Sequence, residues 1–246
     1  MSNNYEILRQ VDKNQALFET PGRRTVSTVR KPEQPGMRDP SREEAIKLAQ
    51  RLFLSAGAQV PHMVVFSSVE HGNGCSLVCA QVAEALASQT EGTVCLIDAN
   101  LRSPSLHRFF EIGNELGLVD AIVQSEPVKK FCQPVNGNNL WLLPSGPTLS
   151  DSHSLLNSER LLSRLAELRL EFSYVLIDAP PINPYADATI LGRIVDGLVL
   201  VLEANETRRE TARKAKETLE VAKVRLLGAV LNKRTFPIPE RLYKRL

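Results

Sequence analysis

The sequence has few cysteines and no long apolar run, and these two absences exclude several classes of protein. Four cysteines occur among 246 residues, and none forms a CxxC pair, so neither a disulfide framework nor a zinc site is indicated. No apolar run approaches the roughly 20 residues that cross a bilayer, and the first residues lack the apolar core of a secretory signal. We therefore expect a protein of the reducing cytoplasm.

An excess of charge of one sign is also lacking. The sequence has 30 Lys and Arg against 28 Asp and Glu, a formal net charge of +2, which argues against a nucleic-acid binder with a broad basic face. Hydrophobic residues make up 43% of the chain, enough for a substantial core within one domain. These features predict a soluble globular domain with no nucleic-acid partner.

Composition divides the chain into three parts. Residues 1–40 are polar and rich in Pro, Gly, Arg and Thr, with too few clustered apolar residues to offset the entropy of ordering, so they predict a flexible arm. Residues 41–235 form the predicted folded domain, and residues 236–246 a short basic tail. Ser41 followed by Glu44 resembles a capping box, which predicts a helix at the start of the domain.

Six short apolar runs alternate with helical patterns along the domain. Near-continuous apolar runs are typical of strands covered on both faces. The predicted fold class is α/β, a mostly parallel twisted sheet with helices on both faces. The strand runs are 63–68, 94–99, 140–146, 174–180, 197–203 and 226–232, and the clearest helical patterns are 155–170 and 207–224. Ligands of such sheets bind at the carboxyl ends of the strands.

The segment after the first run, "SSVEHGNGCSL", resembles a phosphate-binding loop. Gly72 and Gly74 would let backbone N–H groups approach a phosphate, and the following helix would point its positive dipole end there. Cys75 stands where such a loop carries its lysine, whereas Ser76 keeps the magnesium-binding hydroxyl. A neutral thiol cannot replace an ammonium, whose hydrogen bond to a charged group is worth about 1.5 to 3 kcal/mol. The segment predicts an anion site with impaired phosphotransfer, and a plain strand-to-helix turn is the alternative.

Two acids end later apolar runs, Asp98 in "LIDANLR" and Asp178 in "VLIDAPP". Asp178 fits the acid that holds magnesium in P-loop enzymes. Asp98 can hold magnesium through water or can cap the following segment, and the sequence leaves both interpretations open. Arg102 can pair with Asp98 or with phosphate. Together with the glycine-rich loop, these residues predict nucleotide-binding ancestry, with ATP or ADP and Mg²⁺ as the cofactors.

These motifs, with "LIDANLRSPSLHRFF", "LPSG" and the final run "LLGAVLNK", resemble the bacterial tyrosine kinases of capsule and exopolysaccharide synthesis. That family lies within the MinD/ParA-like group of P-loop ATPases, and the likeness covers residues 41–232. It implies a P-loop NTPase-like fold in which Asp98 and Asp178 are the catalytic acids and join Ser76 in holding the metal. The implied nucleotide-binding residues are Gly72, Asn73, Gly74, Cys75, Ser76, Leu77, Arg102 and Asn232. Of these, Asn232 is the one that would contact the base of the nucleotide.

The departures from the family pattern all weaken the same activity. Cys75 replaces the loop lysine, and Leu77 replaces the threonine that would follow Ser76. Asn100 replaces the second acid of the DxD pattern, which removes a charge that could bind metal or help take a proton from a tyrosine. The early lysine of MinD/ParA relatives falls at Glu70. Within the protein-tyrosine kinase family, the changes at Cys75 and Asn100 therefore predict a pseudokinase.

The ends of the family's kinase domain also differ here. A glutamate and two arginines of the opening helix build a ring of subunits in the family, whereas the corresponding positions here are Glu44, Lys47 and Gln50. Lysine does not replace arginine in bidentate pairing, and glutamine carries no charge, so these positions weaken the case for ring assembly. The family's terminal tyrosine cluster is reduced to Tyr243, which with Tyr5 is an expected modification site.

These observations favour a catalytically impaired, kinase-like regulator of capsule or exopolysaccharide synthesis and export. The resemblance implies a cytoplasmic location at the inner membrane, through docking to a chain-length or export subunit. Self-assembly and an active paralogue are the other partners considered. One alternative is an active tyrosine autokinase that recruits Arg102, Lys233 or a partner's basic residue. A dinucleotide-binding oxidoreductase ranks lower, because Leu77 replaces the third glycine of that fingerprint.

Overall fold

The computed structural model describes four stretches of the chain, which are residues 40–55, 60–135, 139–147 and 152–234. The side chains of residues 40, 152 and 153 are outside this description. Apart from Pro40, the predicted arm and the predicted basic tail lie outside the described residues, and so do Tyr5 and Tyr243.

In the described part of the chain, a seven-stranded sheet forms the centre of the fold. Its strands are β1 Met63–Ser68, β2 Val94–Asp98, β3 Gln133–Val135, β4 Leu140–Leu143, β5 Tyr174–Asp178, β6 Gly197–Glu203 and β7 Leu226–Asn232. Their order across the sheet is β3-β4-β2-β5-β1-β6-β7. All neighbouring pairs are parallel except β3 with β4. The predicted mostly parallel sheet is confirmed.

Helices cover both faces of this sheet. They are α1 Pro40–Ala49, α2 Cys75–Gln89, α3 Leu106–Phe109, α4 Leu118–Val123, α5 Glu159–Glu171, α6 Asp187–Gly192 and α7 Arg209–Val221. Alternate strand residues point to opposite faces. Val64 and Phe66 of β1 accordingly pack with residues of α1 and α2 in one core. Met63 and Val65 pack with residues of α4 to α7 in the other.

Three predicted strands end earlier than their apolar runs. The second, third and fourth runs leave the sheet at Asp98, Leu143 and Asp178, so both acids are the last residues of their strands. The short strand β3 was not predicted, because three residues that include Pro134 give no periodic signal. Proline is tolerated there because β3 is an edge strand.

Two helix predictions also need correction. The capping box at Ser41 and Glu44 is wrong, since α1 already includes Pro40, and proline is favoured in a first helical turn. The Glu44 carboxylate instead pairs with Lys47 Nζ at 2.7 Å. The pattern over 155–170 is divided, because a 3-10 turn ends at Asn157 before α5 begins. Ser158 caps α5 by accepting the Leu161 N–H at 3.3 Å.

The strand order brings the motifs of the sequence to one edge. β5 lies between β1 and β2, and Asp98 is the register partner of Asp178. The segment joining β1 to α2 and both acids therefore lie at the carboxyl ends of three adjacent strands. The ends of β6 and β7 follow on the β1 side, which places the last residues of the sheet beside the same segment.

Candidate nucleotide site

The segment between β1 and α2 has the backbone of an anion-binding loop. Gly72 and Gly74 have φ of 85° and 80°, in the left-handed region that glycine adopts without strain. A Cβ at Gly74 would also overlap the side-chain amide of Asn232. The helix α2 begins at Cys75 directly after these glycines, so its N-terminal N–H groups and the loop's N–H groups are available to one anion.

Cys75 is buried at the start of α2, with 8% of its surface exposed. Burial raises the pKa of its thiol well above the usual value, and the nearby Asp178 carboxylate and Cys79 raise it further. The thiol is therefore neutral at physiological pH. It brings no positive charge to the loop, and it is not a reactive nucleophile, since reactivity needs the thiolate.

Asp178 is fully buried beneath the loop. Among the residues that the structure describes, neither of its carboxylate oxygens has a hydrogen-bond partner. Burial raises the pKa of this carboxyl to about 8, and the charge of Asp98 acts in the same direction. The Ser76 hydroxyl and the Cys75 thiol lie near enough to favour the charged form and oppose the rise, although neither meets hydrogen-bond geometry toward the carboxylate. The side chain is thus a buried acid without a counter-charge.

Asp98 is the register partner of Asp178, but its oxygens are occupied. They accept backbone N–H groups from Asn100 at 3.3 Å, Ser105 at 3.0 Å and Leu106 at 3.0 Å. Burial raises the pKa of Asp98 to about 6, and these N–H groups oppose the rise. The structure therefore confirms that Asp98 caps the following segment, whereas its role toward a metal stays a prediction.

Arg102 pairs with a residue that the sequence had not suggested. Its guanidinium donates to the two carboxylate oxygens of Asp187 at 2.7 and 3.3 Å and lies 4.1 Å from the ring centroid of Tyr185. The alternative pairing with Asp98 is not seen among the described residues, and the guanidinium is engaged by Asp187 instead. His71 of the loop contacts the same tyrosine ring edge-on at 5.6 Å. A contact of Arg102 with phosphate stays a prediction.

The end of β7 contacts the glycine-rich loop through side chains. Asn232 Nδ2 donates to the carbonyl oxygen of Asn73 at 2.9 Å, and Lys233 Nζ donates to the carbonyl oxygen of Gly72 at 2.7 Å. The same ammonium lies 3.1 Å from both carboxylate oxygens of Glu203, at the end of β6. Asn232 is therefore at the edge of the site, and its contact with a nucleotide base stays a prediction.

Comparison with known proteins agrees with this arrangement. Residues 59–244 match the model of the ParA family described as NUBPL iron-transfer P-loop NTPase. The tyrosine-protein kinase YwqD of Bacillus subtilis is 36% identical over 180 residues, 73% of this chain and 75% of that protein. The tyrosine-protein kinase CpsD of Streptococcus agalactiae is 30% identical over 172 residues, 70% of this chain and 75% of that protein.

Among solved structures, the chimerical protein CapA2B2 has a TM-score of 0.75 and 25% identity, over 83% of this chain and 88% of that chain. The chain belongs to the bacterial tyrosine-kinase branch of the ParA-type P-loop NTPases. Proteins of this fold generally bind nucleotide with magnesium, and the loop of this kinase-like chain carries cysteine at the lysine position. The dinucleotide-binding alternative does not fit this family.

The residues of this kinase-like site fit magnesium and phosphate in part. Asp178 supplies a buried carboxylate without a partner, and Ser76 supplies the hydroxyl at the start of α2. The loop N–H groups would hold phosphate oxygens, and magnesium, when bound, would neutralise phosphate charge. The side chain of Leu77 has no polar atom, so only its backbone N–H could contribute to a phosphate site.

Positions linked with ring assembly form contacts within this chain. Glu44 and Lys47 pair with each other on the exposed surface of α1. Gln50 Nε2 donates to Gln89 Oε1 at 3.2 Å, so its amide is engaged by α2.

In the ranges that the structure describes, no helix is long and apolar enough to cross a membrane.

Sequence reasoning missed Tyr185, Asp187 and Glu203. Tyr185 and Asp187 follow the strand that ends in Asp178, and Glu203 ends the next strand along the chain. The rule that ligands of α/β sheets bind at the carboxyl ends of strands points to these positions, although no motif marks them.

Replacing Arg102 with lysine is expected to destabilise the fold by about 1 to 2 kcal/mol. Lysine cannot form the bidentate pair with Asp187 or stack its planar group on Tyr185. Urea unfolding measures the change. Arg213→Lys is the matched control, because Arg213 forms an exposed pair with Glu217, and that variant should change stability by less than about 0.5 kcal/mol. Equal effects of the two variants would contradict the assignment.

Proposed function

We propose that this chain is a phosphotransfer-impaired regulator of capsule or exopolysaccharide synthesis, docked to an inner-membrane chain-length or export subunit. The observation that carries the proposal is the buried Cys75 thiol at the lysine position, beside an Asp178 carboxylate that no described cation pairs with. Losing one group that stabilises charge in a transition state lowers the rate by about 100- to 1000-fold.

A second feature supports the loss of phosphotransfer. Asn100 stands where the family pattern has a second acid, and its side-chain oxygen accepts the Ser103 N–H at 3.2 Å. This amide stabilises the turn after β2 and cannot act as a base toward an acceptor hydroxyl. A nucleotide bound at the glycine-rich loop would then act as a regulatory or structural ligand.

The partner and the location rest on family membership. Relatives of this chain are named tyrosine-protein kinases, and the family resemblance implies a membrane subunit of polysaccharide export. A cytoplasmic location at the inner membrane follows from that partner. The intrachain contacts of Glu44, Lys47 and Gln50 favour a chain that works through its partner over one that forms a ring.

The decisive experiment is a tyrosine phosphotransfer assay on the full chain with ATP and magnesium. The assay is run alone and with the membrane subunit reconstituted in lipid vesicles, and Asp178→Ala serves as the inactive control. We expect the native chain to give no more phosphotyrosine than Asp178→Ala under either condition, while it co-sediments with vesicles that hold the subunit. Phosphorylation that Asp178→Ala abolishes would sink the proposal.

One observation keeps an active kinase as the second candidate. Lys233 Nζ lies 2.7 Å from the carbonyl oxygen of Gly72, on the carbonyl side of the loop, so this ammonium would serve a phosphate only after leaving Gly72 and Glu203. Phosphotransfer that arises only with the membrane subunit would favour this candidate. The impaired-kinase proposal predicts none with or without the subunit.

A further inference from the structure

Two consecutive residues at the end of β7 hold two consecutive carbonyls of the glycine-rich loop. Asn232 Nδ2 donates to the carbonyl oxygen of Asn73 at 2.9 Å, and Lys233 Nζ donates to that of Gly72 at 2.7 Å. The strand that closes one edge of the sheet is thereby attached to the loop by side chains that are far away in sequence. We name these contacts the carbonyl clamp.

The carbonyl clamp also fixes the direction of the loop's N–H groups. In a planar trans peptide the C=O and the N–H point in opposite directions. The carbonyl of Gly72 shares its peptide with the N–H of Asn73, and the carbonyl of Asn73 shares its peptide with the N–H of Gly74. Because both carbonyls face the end of β7, both N–H groups face away from it, as an anion-binding loop requires.

The ammonium of Lys233 is fully used in this arrangement. It has three N–H donors, and three acceptors lie within hydrogen-bond distance, the Gly72 carbonyl and the two oxygens of Glu203. Glu203 also accepts from Asn73 Nδ2 at 3.3 Å. The cation is thus directed to the carbonyl side of the loop and not to the side where a phosphate would lie.

The backbone of Lys233 is held in an unfavourable conformation. Its φ is 55°, in the strained left-handed region that few residues other than glycine adopt. Such a conformation persists only where surrounding contacts determine it. The hydrogen bonds of the Lys233 ammonium with Gly72 and Glu203 supply such contacts at the tip of its side chain.

We propose that Lys233 is a positioning residue that, with Asn232 and Glu203, holds the glycine-rich loop in its anion-binding conformation without the loop lysine. The inference rests on the anion-binding part of the proposed function, and it holds whether or not phosphotransfer occurs. If Lys233 has this role, the glycine-rich loop of the ligand-free protein is ordered by a residue that lies outside the loop.

The test compares Lys233→Gln with Lys223→Gln in the full chain. Lys223 is exposed and also has a positive φ, of 59°, so it is a matched control. The amide order parameters of residues 72–74 are measured by NMR relaxation without ligand, and pyrophosphate affinity by calorimetry. We expect order parameters to fall from about 0.85 to below about 0.6 in Lys233→Gln only. Affinity should fall about tenfold if the competent loop population drops to about one tenth.

Lys233→Asn tests whether a loss of loop order comes from the missing carbonyl clamp or from backbone strain at residue 233. Asparagine tolerates the left-handed conformation, but its side chain is too short to bridge Gly72 and Glu203, so the same loss of order is expected. Unchanged order parameters in both variants would overturn the proposal. A weaker affinity with unchanged order would also overturn it, because Lys233 would then contact the anion directly.

The outcomes separate this inference from the proposed function. If the native chain does not bind pyrophosphate, the order parameters alone decide whether Lys233 positions the loop. Tyrosine phosphotransfer by the native chain would overturn the proposed function and would leave the carbonyl clamp intact.

Discussion

Cys75→Lys is expected to bind ADP with magnesium about tenfold to a hundredfold more tightly than the native chain. The new ammonium lies at the start of α2, where the loop N–H groups converge, and a hydrogen bond to a charged group is worth about 1.5 to 3 kcal/mol. The ammonium would also give the buried Asp178 carboxylate a counter-charge, which favours the ionised form that holds magnesium. Calorimetric titration with ADP and ATP, with and without magnesium, measures the gain.

Cys75→Met is the matched control, because methionine has a similar reach and no charge. It should bind nucleotide no better than the native chain, and circular dichroism should show both variants folded. Two results would contradict the prediction. A folded Cys75→Lys without tighter binding would mean that the missing ammonium is not what limits affinity. Native binding as tight as that of Cys75→Lys would mean that another cation already serves the phosphates.

Asp178→Asn is expected to stabilise the metal-free protein at alkaline pH. The pKa of Asp178 is raised from 3.8 to about 8 on folding, so between these values the folded state binds more protons than the unfolded state. The stability of the native protein therefore falls as pH rises through this window. Asparagine does not titrate, so at pH 9 the variant should be more stable by about 3 kcal/mol or more, since each pKa unit corresponds to about 1.4 kcal/mol.

Urea unfolding at pH 5, 7 and 9 with a chelator present measures this dependence. The pKa of Asp98 is also raised, to about 6, so this group adds a further loss of stability with rising pH, in a lower pH range. Asp196→Asn is the control, because its effect on stability should have the opposite pH dependence. Burial raises the pKa of Asp196, but hydrogen bonds from Arg169 and two backbone N–H groups outweigh burial and lower it. That variant should be destabilised most above the unfolded pKa. An Asp178→Asn variant that gains nothing between pH 5 and pH 9 would show that a cation neutralises this carboxylate.

Local patterns were enough to predict the sheet and the position of the site. Near-continuous apolar runs predicted parallel strands, and all six runs correspond to strands in the structure. Five of these strands are largely buried, whereas the edge strand β7 is partly exposed. Gly72 and Gly74 predicted a loop whose backbone N–H groups could approach an anion, and both glycines have the positive φ that such a loop can use. The acids Asp98 and Asp178 were expected at one edge because they end parallel strands, and the register makes them direct neighbours.

The side-chain partners could not be predicted in the same way. Arg102 was predicted to pair with Asp98 or with phosphate, and its observed pairing with Asp187 depends on how the segment after β5 folds back. The contact of Lys233 with Gly72 joins residues 161 positions apart, and no local pattern encodes it. Strand β3 was missed because its order depends on pairing with β4, not on its own apolar content.

The unpaired carboxylate of Asp178 has a consequence for how this chain is used. A buried acid without partners lowers the stability of the fold, and almost any apolar or amide side chain of similar size would remove that penalty. A pocket that no ligand ever enters gains nothing from keeping it. Sites that trade stability for binding are a recurrent feature of working proteins, so the buried carboxylate of Asp178 supports the proposal that a metal-bound ligand occupies this loop.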